Sequence, residues 1–170
     1  MILPSLPQSI SFSFSCMKRW LFFLLSGLLL QGLPILQAAP QPQHNLQKVL
    51  LSLGTNTLAA QVAADDASRE LGLMARKGLD PDEGMVFVFP QPRSVNFWMK
   101  DTPIPLSIAY ISASGRILET HELKPLDETP VPSTSSAVVY ALEVPQGWFA
   151  SHGVLAGDQI GGLPLPAIAK

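Results

Sequence analysis

The segment Asn96-Phe97-Trp98-Met99-Lys100-Asp101 concentrates groups able to do chemistry. Side chains alternate across an extended chain, so Asn96, Trp98 and Lys100 share one face and Val95, Phe97 and Met99 the other. The first face sets an indole between an amide and an ammonium, a combination suited to a polar small molecule or a sugar. The competing reading buries Trp98 under the loop at 124–136, with its indole N–H on a backbone carbonyl. Asp101 follows directly. A Lys100–Asp101 or Asp101–His121 pair would serve for proton transfer if the two side chains met.

Upstream, Arg69 and Arg76 flank Gly72 at a spacing that shares one helix face. Two guanidinium groups can grip a carboxylate or phosphate. In a structural role they would pair with Asp82 and Glu83 or cap the last helical carbonyls. The candidate ligand-binding residues are therefore Arg69, Arg76, Trp98, Lys100 and Asp101. His121 and Glu122 would point to opposite faces of a strand, and H-E-x-x-H and C-x-x-C patterns are absent, so no metal site and no cofactor is expected. G-x-S-x-G is absent too, and no residue is assigned a catalytic role.

Short elements must position these groups, because 16 prolines and 12 glycines punctuate the chain. Leu46 to Leu53 and Leu58 to Ala63 flank Gly54-Thr55-Asn56 and read as a hairpin. Asp65 and Asp66 suit the start of a helix that places Ala67, Leu71 and Met74 on the core side. Gly72 either ends that helix or admits a close backbone. Met85 to Phe89 reads as a central strand closed by Pro90-Gln91-Pro92. Strands at Val95–Lys100, Leu106–Ile111, Arg116–Leu123 and Val138–Val144 follow, then a short helix at Trp148–His152 and a last short strand ending near Ile160. In Val138–Val144, Val138, Tyr140, Leu142 and Val144 fall on one side. The expected fold is α+β, mainly β: a compact antiparallel sheet, barrel-like or sandwich-like, of about seven or eight short strands with one or two short helices. No β-α-β alternation is visible, which argues against parallel pairing.

Composition sets the class. Hydrophobic residues are 47% and charged residues 14%, enough apolar material for one packed domain and unlike a disordered chain. The net charge is −2, with no basic patch to suggest nucleic acid. The single cysteine, Cys16, precedes the apolar run Trp20–Leu36, so the domain body carries no thiol chemistry. Lys18-Arg19, that apolar run and Ala38-Ala39 form a secretory pattern, with cleavage best placed after Ala38. An uncleaved N-terminal membrane anchor is the alternative. The organisation reads as a start extension at 1–16 that precedes the true start at Met17, a signal peptide at 17–39, a linker at 40–45, one domain at 46–163 and a tail at 164–170. The expected location is periplasmic or extracellular, with no membrane contact in a cleaved chain.

The runs RELGLMAR (69–76), DEGMVFVF (82–89), NFWMKDTPIPLSIAYI (96–111), YALEVPQG (140–147) and GVLAGDQI (153–160) together resemble the DUF192 (UPF0127) family. That resemblance implies a small, often exported, β-rich domain and carries no reaction. Family members usually read FWMKNT and, one variable residue later, IPLD. Asp101 stands here for the asparagine and Ser107 for the last acid, so an activity that needs that carboxylate is in doubt. The function these features point to is an exported binding or accessory domain for a polar or anionic small molecule at the cell envelope. The alternatives are an envelope hydrolase or other small-molecule enzyme using Asp101 and His121, and a subunit that binds an envelope protein without a small ligand.

Overall fold

The computed structural model describes residues 38–166; the expected start at Met17 and the apolar run through Leu36 lie outside the described residues. Strands β1 (Lys48–Leu53) and β2 (Asn56–Ala63) form the expected hairpin, with Leu53 opposite Asn56. Gly54 opens its tight turn at φ 63°, a conformation that glycine adopts without steric penalty.

Helix α1 (Asp66–Leu71) begins at a reciprocal cap: Ser68 N donates to Asp65 Oδ1 at 2.9 Å, and Asp65 N donates to Ser68 Oγ at 3.3 Å. It ends at Gly72, whose φ of 48° breaks the helical repeat. This corrects two expectations. Ser68, Gly72 and Leu73 are buried while Ala67 is exposed and Leu71 and Met74 are only half-buried, so the buried face runs through Ser68 and Gly72 rather than through Ala67 and Leu71. Arg76 lies beyond the helix and shares no helix face with Arg69.

After α1 the chain enters β3 (Glu83–Arg93), which pairs with β2 in parallel. The expected all-antiparallel sheet is thus mixed, with one parallel pair joined by a six-residue helix too short to reveal itself as a crossover. β3 also runs past Phe89 to Arg93. Its register shifts between Val88 and Arg93, and Pro90 and Pro92 are exposed there, where a missing N–H costs no central ladder bond. The expected strand at 95–100 shrinks to β4 (Asn96–Phe97), which pairs with β7 (Val131–Pro132) as a separate two-stranded sheet. Its parity holds: Val95 and Met99 are buried, Trp98 and Lys100 exposed. β5 (Leu106–Ser112) and β8 (Val138–Pro145) complete the centre and β6 (Ile117–Leu123) forms one edge; helix α2 (Trp148–Ser151) and β9 (Ile160–Gly161) follow.

The large sheet has the order β6-β5-β8-β3-β2-β1-β9 and curls into a half-barrel. All seven of its strands send side chains to one apolar cluster, which includes Leu51, Leu58, Val86, Ile111, Ile117, Leu142 and Ile160, with Trp148 and Phe149 of α2 packed on it. The opposite face, around Met85, Phe87, Ile108 and Tyr110, is covered by residues of the 95–104 segment and Leu73. Tyr140, Leu142 and Val144 share the first cluster as expected. Val138 joins the second, since the pairing of β5 with β8 shifts register between Ile111 and Ser112.

The two edge strands meet at one corner. Arg116 and Gln159 form an antiparallel bridge, and Ile160 N donates to Gly115 O at 2.9 Å. Gly115 sits there at φ 85°, and a Cβ on it would stand 2.6 Å from the Ile160 carbonyl oxygen. Gly115→Ala is therefore expected to lower stability by about 2 kcal/mol in urea denaturation. Gly78→Ala, with open space around it, is expected to stay within about 0.5 kcal/mol. Equal effects of the two would refute the corner as a closure point.

Candidate functional site

A cavity of about 440 Å³ opens between α1, the end of β3 and the segment from Ser94 to Trp98. Its apolar walls begin with Phe87, which meets Phe97 edge-on at 4.9 Å. Phe97 in turn lies 5.8 Å from Tyr110, and Tyr110 lies 5.5 Å from His121. Gly72 lets the helix end pass close over Phe87, since a Cβ there would meet the ring at 3.4 Å.

Arg69 lines this cavity. Its Nη1 donates to the carbonyls of Ala64 (2.5 Å) and Val88 (2.8 Å), and its Nη2 pairs with Asp66. These bonds tie α1 to β3. The guanidinium also lies 5.7 Å from the centre of the Phe89 ring, and Arg93 lies 5.9 Å from the same ring. Arg93 makes no ion pair among the described residues and is exposed.

Trp98 stands at the rim, 47% exposed, with Lys100 Nζ 5.4 Å from its ring centre. It is thus open to solvent rather than buried under the 124–136 loop, although that loop does pin its neighbours: Met99 N donates to Asp127 O at 2.9 Å and Leu126 N to Thr102 O at 3.1 Å. Asp101 is exposed and its backbone carries the corner. Its φ is 52°, and its carbonyl accepts from Ala75 N at 2.7 Å. Aspartate and asparagine are the non-glycine residues that best tolerate this conformation, which accounts physically for the exchange of one for the other at this position. Asp101 is not paired with His121, which instead meets Glu119 at 3.1 Å.

Arg76 is elsewhere. It is buried in a polar cluster in which its Nη2 donates to Gln61 Oε1 (2.7 Å) and to Gln43 O, while Gln61 Nε2 donates to Glu83 Oε1 (3.1 Å) and Lys48 pairs with Glu83 (2.8 Å). The Lys48 hydrogen bond is the main reason the Glu83 carboxyl sits below its usual value, and burial lowers that of Arg76. The structure therefore brings Arg69 and Trp98 to one cavity, holds Lys100 on Trp98, gives Asp101 a backbone role, and places Arg76 in a separate brace. Ser107, on the other sheet face, is fully buried. It donates to Glu122 Oε1 at 2.7 Å and accepts from Gly147 N at 2.8 Å.

Sequence reasoning missed Glu143. It lines the cavity from β8, opposite Met85 and Ile108, and is only 4% exposed. No hydrogen bond to its carboxyl occurs among the described residues, and burial pushes its pKa up to about 8. The available signal was an acid inside the apolar run Val138–Val144, where a charged side chain is rare unless paired.

Residues 49–162 match the family DUF192, described as Uncharacterized ACR, COG1430. The chain belongs to the DUF192 family. A crystal structure of a candidate transcription regulator from Sinorhizobium meliloti 1021 is similar at a TM-score of 0.68 and 34% identity, over 71% of this chain and 97% of that one. A protein of unknown function from Novosphingobium aromaticivorans DSM 12444 is similar at a TM-score of 0.63 and 30% identity, over 73% of this chain and 93% of that one. No curated protein matches. DUF192 membership agrees with the resemblance drawn from the motifs, and it assigns no reaction.

Proposed function

We propose that this DUF192 domain is an exported binding module that takes a small polar or charged molecule in the cavity beside Trp98. The observation that carries the reading is the cavity itself: about 440 Å³, walled by aromatic rings, with a half-exposed indole at its rim and guanidinium groups at its mouth. Such concave sites, mostly apolar with a few convergent polar groups, are where small molecules bind. The export part rests on Lys18-Arg19, the apolar run that follows and Ala38-Ala39. The label of the Sinorhizobium relative belongs to that protein. An acidic net charge of −2 gives this chain little with which to neutralise a phosphate backbone.

A thermal-shift screen of sugars, peptides and organic anions tests the binding reading. A ligand at about 100 times its Kd should stabilise the fold by about 2.7 kcal/mol, and Trp98→Ala should remove most of that shift. No shift with any compound, or a shift indifferent to Trp98→Ala, defeats the proposed site. N-terminal sequencing of the native protein tests export: a start near Ala39 is expected, and a retained Met17 indicates an anchor.

A further inference from the structure

We infer that the cavity takes an extended zwitterion, its ammonium seated against the Glu143 carboxyl on the floor and its anionic group against Arg93 at the mouth. The inference rests on the cavity being a binding site, as proposed above, and adds the class of ligand. Glu143 is a carboxyl more than nine-tenths buried, facing the cavity, without a hydrogen-bond donor among the described residues. A carboxyl so nearly buried gains from a charged donor that enters the cavity, and an ammonium is one such partner. The rings of Phe87, Phe97 and Trp98 line the space around it, and aromatic faces attract cations. A hard metal ion would need several oxygens, and the floor offers one carboxyl.

The mouth carries both signs: Asp66 and Glu70 of α1 line it together with Arg69 and Arg93. Arg69 is committed to two carbonyls and Asp66, and the exposed Arg93 is the other lining cation, without an ion pair among the described residues. The two ends are far apart. Glu143 lies opposite Met85, and Phe89, whose ring both guanidinium groups approach, is four residues further along β3, a backbone rise of about 13 Å. An ω-amino acid or a short peptide with free ends spans such a distance and an α-amino acid does not.

Binding must displace a proton, because burial keeps Glu143 protonated in the free site up to about pH 8. The other titratable or charged groups are Tyr110 of β5, whose phenol feels its charge, and Arg93 of β3 and Asp66, Arg69 and Glu70 of α1, which line the same cavity. Burial also raises the Tyr110 phenol, so Tyr110 stays neutral throughout. Affinity for an ammonium should therefore climb with pH and level off above about 8.

Calorimetric titration of the purified full chain with 6-aminohexanoate, hexylamine, hexanoate, 1,6-hexanediol and glycine tests this. The expected result is that 6-aminohexanoate binds about tenfold or more tighter than any of the other four. Its affinity should rise by tens of fold between about pH 6 and pH 8. Glu143→Gln should remove its advantage over hexanoate, and Arg93→Gln, an exposed change, its advantage over hexylamine. Hexanediol or hexanoate binding as tightly, or indifference to Glu143→Gln, overturns the zwitterion while leaving the cavity a binding site. Silence from all five, alongside Trp98-dependent shifts with sugars or anions, does the same. Silence together with no Trp98-dependent shift overturns both readings.

Discussion

Glu143→Gln is expected to make the protein more stable than the wild type above neutral pH, by an amount that grows as the pH rises. The carboxyl has a folded pKa near 8, against an ordinary value of 4.5. Below the ordinary value both the folded and the unfolded chain hold the proton, and the residue has no effect on the pH dependence. Between about pH 4.5 and about pH 8 the unfolded chain releases the proton and the folded chain keeps it, so stability falls as pH rises. Above about pH 8 the loss is complete, on the order of 5 kcal/mol. Glutamine keeps the shape and cannot ionise, so its stability curve should be flat where the wild type slopes. Glu83 and Glu119 act in the other direction. Hydrogen bonds from Lys48 hold Glu83 below 4.5, and those from His121 and Thr134 outweigh burial at Glu119, so their contributions are lost only as pH falls through still lower values. Among the described groups with shifted values, the window between about pH 5 and pH 9 thus belongs mainly to Glu143, because the raised tyrosines Tyr110 and Tyr140 act only at higher pH. Urea denaturation of both proteins at pH 5, 7 and 9 measures it, and parallel curves would sink the assignment.

Arg76→Ala is expected to cost about 3 kcal/mol without touching ligand affinity in the molecules that remain folded. The guanidinium joins Gln43 to Gln61, and Gln43 in turn donates to Ser68 O and Gly72 O at 2.9 Å each. Removing it strips donors from two acceptors in a buried setting and loosens the linker residue that holds the end of α1. A double-mutant cycle with Gln61→Ala should show coupling of about 1 kcal/mol. Ligand affinity that collapses in a stable Arg76→Ala protein would instead restore Arg76 to the binding site.

Much of the fold was readable where local chemistry decides it. The β1–β2 hairpin follows from a tight turn at Gly54 between apolar runs, and the inward and outward faces at 95–100 follow from strand parity alone. What escaped was non-local. The parallel pairing of β2 with β3 depends on a crossover in which only six residues are helical, so no periodicity announces it. Gly72 ends α1, which sends Arg76 to a different neighbourhood from Arg69, and the buried face of the helix runs through Ser68 rather than Ala67. Of the five candidate binding residues, Arg69 and Trp98 line the cavity. Side-chain type pointed to them, whereas the backbone demand at Asp101 shows only in its φ of 52°. Glu143 was hidden because an acid on a strand is ordinarily taken as solvent-facing, and only the covering segment at 95–104 shows that it lines a cavity instead.

The corner where Arg116 meets Gln159 has a bearing on how copies of this chain behave when crowded. Unpaired strand edges are templates for adding a strand from another molecule. Here β9 is only two residues long, and the seam at 115–117 occupies the start of β6. Along the rest of β6, Glu119 accepts from Thr134 N at 2.9 Å, which lays the following loop against that edge, and Glu122 and Lys124 are exposed charges beyond it. The chain thus guards the β6 edge by covering and charging it, which leaves that edge a poor template for a strand from another copy.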